Sequence, residues 1–172
     1  MEPATLPDDN PSSGAVADRR RSVREGLISG ALGGATIALW FLILDVLQHR
    51  PLYTPSLLGS AIFRPGLTSG GNPPLSLAMA SLFTGIHFLV FGLIGCLASW
   101  LLAKAERNPN LGFGLILLFV VFDACFAAFA TIFAEPVLKA LTWPAILVAN
   151  FLAATAMAIY FWKRHPKLTI LP

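Results

Sequence analysis

The chain has 172 residues, of which 56% are hydrophobic and 12% are charged, and its formal net charge is +3. This composition lies far to the apolar side of water-soluble domains and predicts an integral membrane protein. Its Lys and Arg residues form short clusters beside apolar stretches rather than a long basic domain, which argues against a nucleic-acid partner.

The chain begins with a polar segment, residues 1–22, that combines several prolines with Ser, Gly and scattered acidic residues. A segment with so few apolar side chains cannot bury enough surface to offset the loss of chain entropy on ordering. We therefore expect residues 1–22 to form a disordered tail that precedes a membrane domain over residues 23–165.

Four apolar stretches make up most of that membrane domain. A helix rises ~1.5 Å per residue, so ~20 apolar residues cross the ~30 Å hydrocarbon layer of a bilayer. Four segments have the necessary length, at about 26–47, 75–103, 111–134 and 143–162. The predicted fold is therefore all-α: an integral membrane four-helix bundle followed by a short tail over residues 166–172.

The distribution of basic residues predicts the orientation of these spans. Lys and Arg in short flanking segments stay on the cytoplasmic side of the membrane. Nine of them lie in the two tails and the loop between the second and third spans, whereas three lie in the other two loops. We therefore expect a plasma (inner) membrane protein with both termini in the cytoplasm.

The outer loop over residues 48–74 is the longest predicted connection and is rich in proline. Thr54 followed by Pro55 has the pattern of a helix N-cap with proline at the first helical position. A short helix is therefore predicted over about 55–64, too short to span and suited to the membrane interface. It acts either as a tether between two spans or as a lid over the outer side.

Small residues recur along the first two spans at the spacing of helix contacts. Helices in lipid associate by close packing, which small side chains permit, and by polar bonds. The predicted packing residues are Gly26, Gly30, Gly34 and Ala38 on the first span, and Gly85 and Gly92 on the second. These stripes join spans within the chain or, alternatively, form an oligomer interface, with residues 26–38 as its seam.

Ionisable residues within the apolar stretches are few, and they define the candidate site. Asp123 and His87 each lie about twelve residues into a span, close to the expected bilayer midplane. Asn150 and Thr84 lie near enough in depth to complete a polar site with them. Such residues mark either an intramembrane functional site or a bond that fixes helix register. Asp45 lies near the outer end of the first span and is predicted to be an interfacial acid.

Catalytic motifs are absent from the sequence, which has no metalloprotease, nucleophile-elbow or phosphate-loop pattern. We therefore expect no enzymatic activity, no cofactor and no metal. A lipid-modifying enzyme that uses Asp45 and His49 at the outer interface is a minor alternative.

The functional hypothesis that follows is a non-catalytic accessory, assembly or oligomer-forming subunit of the plasma membrane. Its expected partners are the lipid bilayer and either further copies of the chain or other membrane subunits. The alternative is a small proton- or cation-coupled transporter in which Asp123 binds the ion and His87 relays or gates.

Overall fold

The structure, a computed structural model, describes residues 11–64, 66, 74–106 and 143–165. Within these ranges the regular elements are four helices, namely α1 (Pro11–Leu47), α2 (Tyr53–Phe63), α3 (Leu77–Ala105) and α4 (Trp143–Arg164). The described part of the chain is therefore all-helical, as the sequence predicts.

Three of these helices are long and apolar enough to cross a membrane. The qualifying segments are Asp18–Leu47 of α1, Leu77–Ala105, which is the whole of α3, and Pro144–Arg164 of α4. They coincide with the first, second and fourth predicted spans. The predicted third span, 111–134, lies outside the described residues, as do residues 1–10 and the tail over 166–172.

Helix α1 begins at Pro11 and so takes in the second half of the segment expected to be disordered. Proline is favoured at a first helical position because its missing N–H would have no partner there. The residues that follow include several Ala and Arg, which have high helix propensity. A pair one turn apart supports this region, since Arg21 Nε–H donates to Glu25 Oε1 at 3.1 Å.

Helices α1 and α3 pack with their backbones in close contact. A Cβ atom added at Gly26 would lie 2.7 Å from the backbone nitrogen of Cys96, and one at Gly30 would lie 2.8 Å from the Cα of Gly92. The relation is reciprocal, because a Cβ at Gly95 would lie 2.6 Å from the backbone nitrogen of Gly30. Only glycine permits this approach of two helices.

The other predicted packing residues lie in looser surroundings. Gly34 faces the ring of Phe88, with 3.3 Å available for a Cβ, and Gly92 faces the side chain of Leu27 at 3.5 Å. No atom of the described residues lies within 4 Å of a Cβ at Gly85, and Ala38 is exposed. The face of α1 that carries Gly26 and Gly30 is covered by α3 of the same chain, so it is not open to a second copy.

Helix α4 packs against another side of α1. Gly33 faces the side chain of Met157, and Trp40 Nε1–H donates to the carbonyl oxygen of Ala145 at 3.0 Å. The turn of α1 around Glu25 and the end of α4 lie together, because Glu25 contacts His165, the residue that follows α4. We call this the tail end, and we call the opposite end of α1, where Asp45 and α2 lie, the loop end.

Helix α2 overlaps the predicted short helix of residues 55–64 but begins at Tyr53. The sequence predicts Thr54 as its N-cap, and this is wrong, because Leu52 holds the N-cap position with φ of 65° and no side-chain bond. The Thr54 side chain instead bonds to Asp45 of α1. A contact from outside the segment thus replaces the local cap that the sequence suggests.

Candidate functional site

His87 of the predicted midplane site lies on α3 and bonds to the backbone of α1. Its Nε2–H donates to the carbonyl oxygen of Gly34 at 3.2 Å, which places the proton on Nε2. The half-buried ring packs against Phe83 and Phe91, with ring centroids 5.8 and 4.7 Å away. The imidazole therefore joins two helices, with aromatic rings fixing its orientation.

The predicted site also contains Thr84, Asn150 and Asp123, of which the first two lie in the described part of the chain. Thr84 donates its hydroxyl to the carbonyl oxygen of Ala80 at 2.7 Å, one turn back in its own helix. Asn150 is half-buried on α4. Asp123 lies outside the described residues. The convergence of these four residues on one site accordingly stays a prediction.

Asp45 lies at the loop end and is 4% exposed. Its Oδ2 accepts the backbone N–H of Thr54 and its Oδ1 accepts the Thr54 hydroxyl, both at 2.7 Å. The backbone N–H groups in the first turn of a helix have no partner within that helix, and the helix dipole favours an anion there. Asp45 therefore caps α2 from the end of α1.

The chain between Asp45 and Thr54 reverses direction in a tight corner. His49 and Leu52 adopt left-handed backbone conformations, with φ of 55° and 65°. The backbone N–H of Arg50 donates to the carbonyl oxygen of Asp45 at 2.8 Å, which closes the first part of the turn. Two non-glycine residues in this region carry strain, which surrounding contacts such as the Asp45 cap offset.

Helix α2 is fastened to α3 by a second polar contact. The backbone N–H of Ser76 donates to Ser56 Oγ at 2.8 Å, and Ser76 in turn caps α3 by accepting the N–H of Met79. Gly59 of α2 lies directly against the backbone carbonyl of Met79, where a Cβ would not fit. Bonds of this kind link α1 to α2 and α2 to α3 in succession.

The tail end carries a polar cluster that is not among the sites predicted from the sequence. His165 Nε2 lies 3.2 Å from Glu25 Oε2, and His165 Nδ1 lies 2.7 Å from Glu106 Oε1. Glu25 is 7% exposed and also receives the Arg21 bond. Both ring nitrogens of His165 therefore face carboxylate oxygens, one on Glu25 and one on Glu106.

This tail-end cluster connects all three long helices. Glu25 belongs to α1, Glu106 follows the last residue of α3, and His165 follows the last residue of α4. The sequence does contain an indication of this cluster. Glu25 directly precedes the first predicted span, and Glu106 and His165 each follow the end of a predicted span closely, all on the predicted cytoplasmic side. Side chains of opposite charge at neighbouring span ends are candidates for contact.

Two polar contacts next to this cluster link α1 directly to α3. The hydroxyl oxygens of Ser22 and Ser99 lie 3.1 Å apart, and Ser99 is 1% exposed. Cys96 Sγ–H donates to the carbonyl oxygen of Val23 at 3.7 Å. These contacts sit beside the glycine contacts, where the two backbones are closest.

The chemistry available to the described residues follows from these positions. Asp45, Glu25 and His165 each have their polar atoms directed at a group on another segment. Within the described ranges no group of three His, Cys, Asp or Glu side chains is placed to hold a metal ion. These three side chains thus link one segment of the chain to another.

Comparisons with protein-family models, with curated proteins and with solved structures give no match to this chain.

Proposed function

We propose that this chain is a multi-pass protein of the plasma membrane that acts as a non-catalytic accessory or assembly subunit. The proposal rests on the bonds that buried and half-buried polar side chains make to other segments of the chain. Asp45 bonds to Thr54, Glu25 to His165, and His87 to the backbone of α1. Such bonds give a helix assembly a fixed shape, which a subunit that binds other membrane proteins requires.

The orientation that we propose places both termini in the cytoplasm. This orientation is supported by the unequal numbers of basic residues at the tail end and at the loop end. The described tail end carries seven of them, namely Arg19, Arg20, Arg21, Arg24, Lys104, Lys163 and Arg164, and the described loop end carries Arg50 and Arg64. An excess of this kind is typical of the cytoplasmic side.

The outward surfaces of the long helices suit contact with lipid and with the helices of other subunits. Several large apolar side chains of α3 and α4 are exposed, including Leu89, Leu93, Phe151 and Ile159, which are between 51% and 71% exposed. Water would disfavour so large an exposed apolar surface, whereas hydrocarbon does not. The proposed partners therefore share the membrane with this chain.

Purification from native membranes under mild detergent tests the subunit assignment. A tagged chain, cross-linked before solubilisation, is expected to bring down either the same membrane proteins in every preparation or further copies of itself. The same tag on an unrelated four-span protein of similar expression serves as the control. Recovery of the lone chain at its 18.4 kDa mass in every detergent would overturn the proposal.

A flux measurement distinguishes this proposal from a proton- or cation-coupled carrier. Vesicles that contain the purified chain are expected to show the same proton and cation flux as empty vesicles. The matched variants are Asp123→Asn and His87→Phe, which remove the two ionisable groups expected at the midplane. Flux in the wild type that disappears in both variants would replace the subunit assignment with the carrier.

A further inference from the structure

One face of α1 borders an open groove near the tail end. The groove has a volume of about 500 Å³ and is lined by Arg19, Arg20, Val23, Arg24, Leu27 and Ile28. Residues on the other side of the same turns are in contact with neighbouring helices, since Gly26 lies against Cys96 and Glu25 against His165. With 3.6 residues per turn, Arg20, Arg24 and Ile28 lie on the opposite side of α1 from these contacts. Leu27 borders both sides, because its side chain also faces Gly92 of α3.

The arginines of this groove have guanidinium groups available for an anion. Arg21, which points elsewhere, is engaged by Glu25. Arg19, Arg20 and Arg24 make no ion pair with any residue in the described ranges, although they lie within six positions of one another on the same helix. Guanidinium groups bind phosphate oxygens through paired, charge-assisted hydrogen bonds.

The groove changes from charged to apolar along the helix axis. Its arginines lie at the end that begins the apolar segment Asp18–Leu47, and its deeper wall is formed by Val23, Leu27 and Ile28, which are 44%, 52% and 39% exposed. From Arg19 to Ile28 the helix rises roughly 14 Å. A phosphate with attached acyl chains has the same order of charged and apolar parts over such a distance.

We propose that this groove binds one anionic phospholipid, with its phosphate held by Arg20 and Arg24 and assisted by Arg19. The acyl chains lie along Val23, Leu27 and Ile28. A lipid whose headgroup carries net negative charge, as phosphatidylglycerol does, is favoured over a zwitterionic one, because a headgroup ammonium would be repelled by three guanidinium groups. This site concerns the lipid partner and is independent of the proposed protein partners.

Lipid retention by the purified full-length chain tests the site. The chain is exchanged into detergent containing equal amounts of phosphatidylglycerol and phosphatidylcholine, and bound lipid is measured by native mass spectrometry. The Arg20→Gln/Arg24→Gln variant is expected to lose about thirty-fold in phosphatidylglycerol binding. The control is Lys163→Gln/Arg164→Gln, which removes the same charge at the tail end but outside the groove and is expected to bind as the wild type does.

Two further measurements compare a phospholipid with free phosphate as the occupant of the groove, and arginine with lysine as the residue that binds it. Excess inorganic phosphate is expected to leave the bound lipid in place, because it lacks the acyl chains that the apolar wall contacts. Arg20→Lys/Arg24→Lys is expected to retain part of the binding, since it keeps charge but loses paired hydrogen bonds.

Several results would overturn the lipid site. The site would be ruled out if the wild type bound the two lipids equally. It would also be ruled out if both double Gln variants lost the same amount of binding, because the basic residues of the tail end would then attract anionic lipid without a specific site. Displacement by inorganic phosphate alone would make it a simple anion site. Release of a co-purified protein by Arg20→Gln/Arg24→Gln, with no change in lipid selectivity, would assign the groove to a protein partner instead. Circular dichroism of each variant separates these outcomes from misfolding.

Discussion

Asp45 at the end of α1 caps helix α2 by accepting both the backbone N–H and the hydroxyl of Thr54. Each bond is 2.7 Å long, and both partners are buried. The position next to the helix start is occupied by Leu52, which has no side-chain oxygen and cannot supply the cap itself. The two residues thereby fix the angle at which the chain leaves the first span and enters the loop.

Replacing Asp45 by Ala should lower the stability of the loop end markedly. The change leaves the N–H and the hydroxyl of Thr54 buried without an acceptor, which costs about 1–3 kcal/mol. Thr54→Val removes one of the two bonds and should have a smaller effect. Unfolding in mixed detergent and SDS micelles, followed by tryptophan fluorescence, measures the difference.

Thr54→Ser is the matched control for this pair because it keeps both donors. It should unfold close to the wild type. An Asp45→Ala variant as stable as Thr54→Ser would mean that the cap does not stabilise the corner.

Gly30→Ala should destabilise the contact between α1 and α3. A Cβ at this position meets the backbone of Phe91 and Gly92, which cannot move aside as a side chain can. Overpacking of this kind costs about 1–3 kcal/mol. The same unfolding measurement reports the loss.

Gly85→Ala provides the control for the glycine substitution. Its Cβ enters open space among the described residues, and Ala has a higher helix propensity than Gly. We expect it to be neutral or slightly stabilising. Equal losses in Gly30→Ala and Gly85→Ala would contradict the close contact of the two backbones.

His165→Ala should loosen the tail end, because it removes the group that connects Glu25 with Glu106. Loss of the partner of a buried carboxylate costs about 1–3 kcal/mol, although Arg21 remains to offset part of it. Glu106→Gln should cost less, since the Glu106 side chain is 38% exposed and solvent screens its charge. Tryptic cleavage after Arg164 reports the loosening directly.

His49→Ala is the control for the tail-end cluster, since His49 is exposed at the loop end. It should leave the rate of cleavage after Arg164 unchanged. A His165→Ala variant cleaved no faster than His49→Ala would show that the cluster does not hold the last turn of α4.

His87→Phe should reduce stability by only about 0.6–1 kcal/mol, the range typical of a single polar bond between helices in a membrane. The ring contacts with Phe83 and Phe91 survive, and the bond to the Gly34 carbonyl is lost. Leu89→Phe, at an exposed position of the same helix, controls for the added ring. Identical unfolding of the two variants would remove the proposed role of the His87 bond.

The long helices can be predicted from the sequence because hydropathy and length are properties of one continuous segment. The three described long helices agree with predicted spans for that reason. The start of α1 at Pro11 was not predicted, since the polar composition of residues 1–22 outweighed the helix propensity of its second half.

Contacts between distant residues were much harder to predict. Glu25 and His165 are 140 positions apart. Their places at span ends on the same predicted face make contact possible but do not determine which residues pair. Thr54 shows the same limit, because its sequence neighbourhood indicates an N-cap while its actual partner is Asp45 on the preceding helix. The predicted small residues indicate which faces of α1 and α3 meet. In the structure Gly26 and Gly30 lie against the backbone of α3 around Gly92 and Gly95, whereas a Cβ at Gly85 meets no described atom.

The mass of the particle excised from native membranes by a lipid-solubilising polymer tests the subunit assignment most directly, because no detergent intervenes. If the chain is such a subunit, the protein mass of the particle exceeds the 18.4 kDa of one chain by further copies or by other membrane proteins in fixed ratio. A particle that contains one copy of this chain and no other protein, in every preparation, would contradict it.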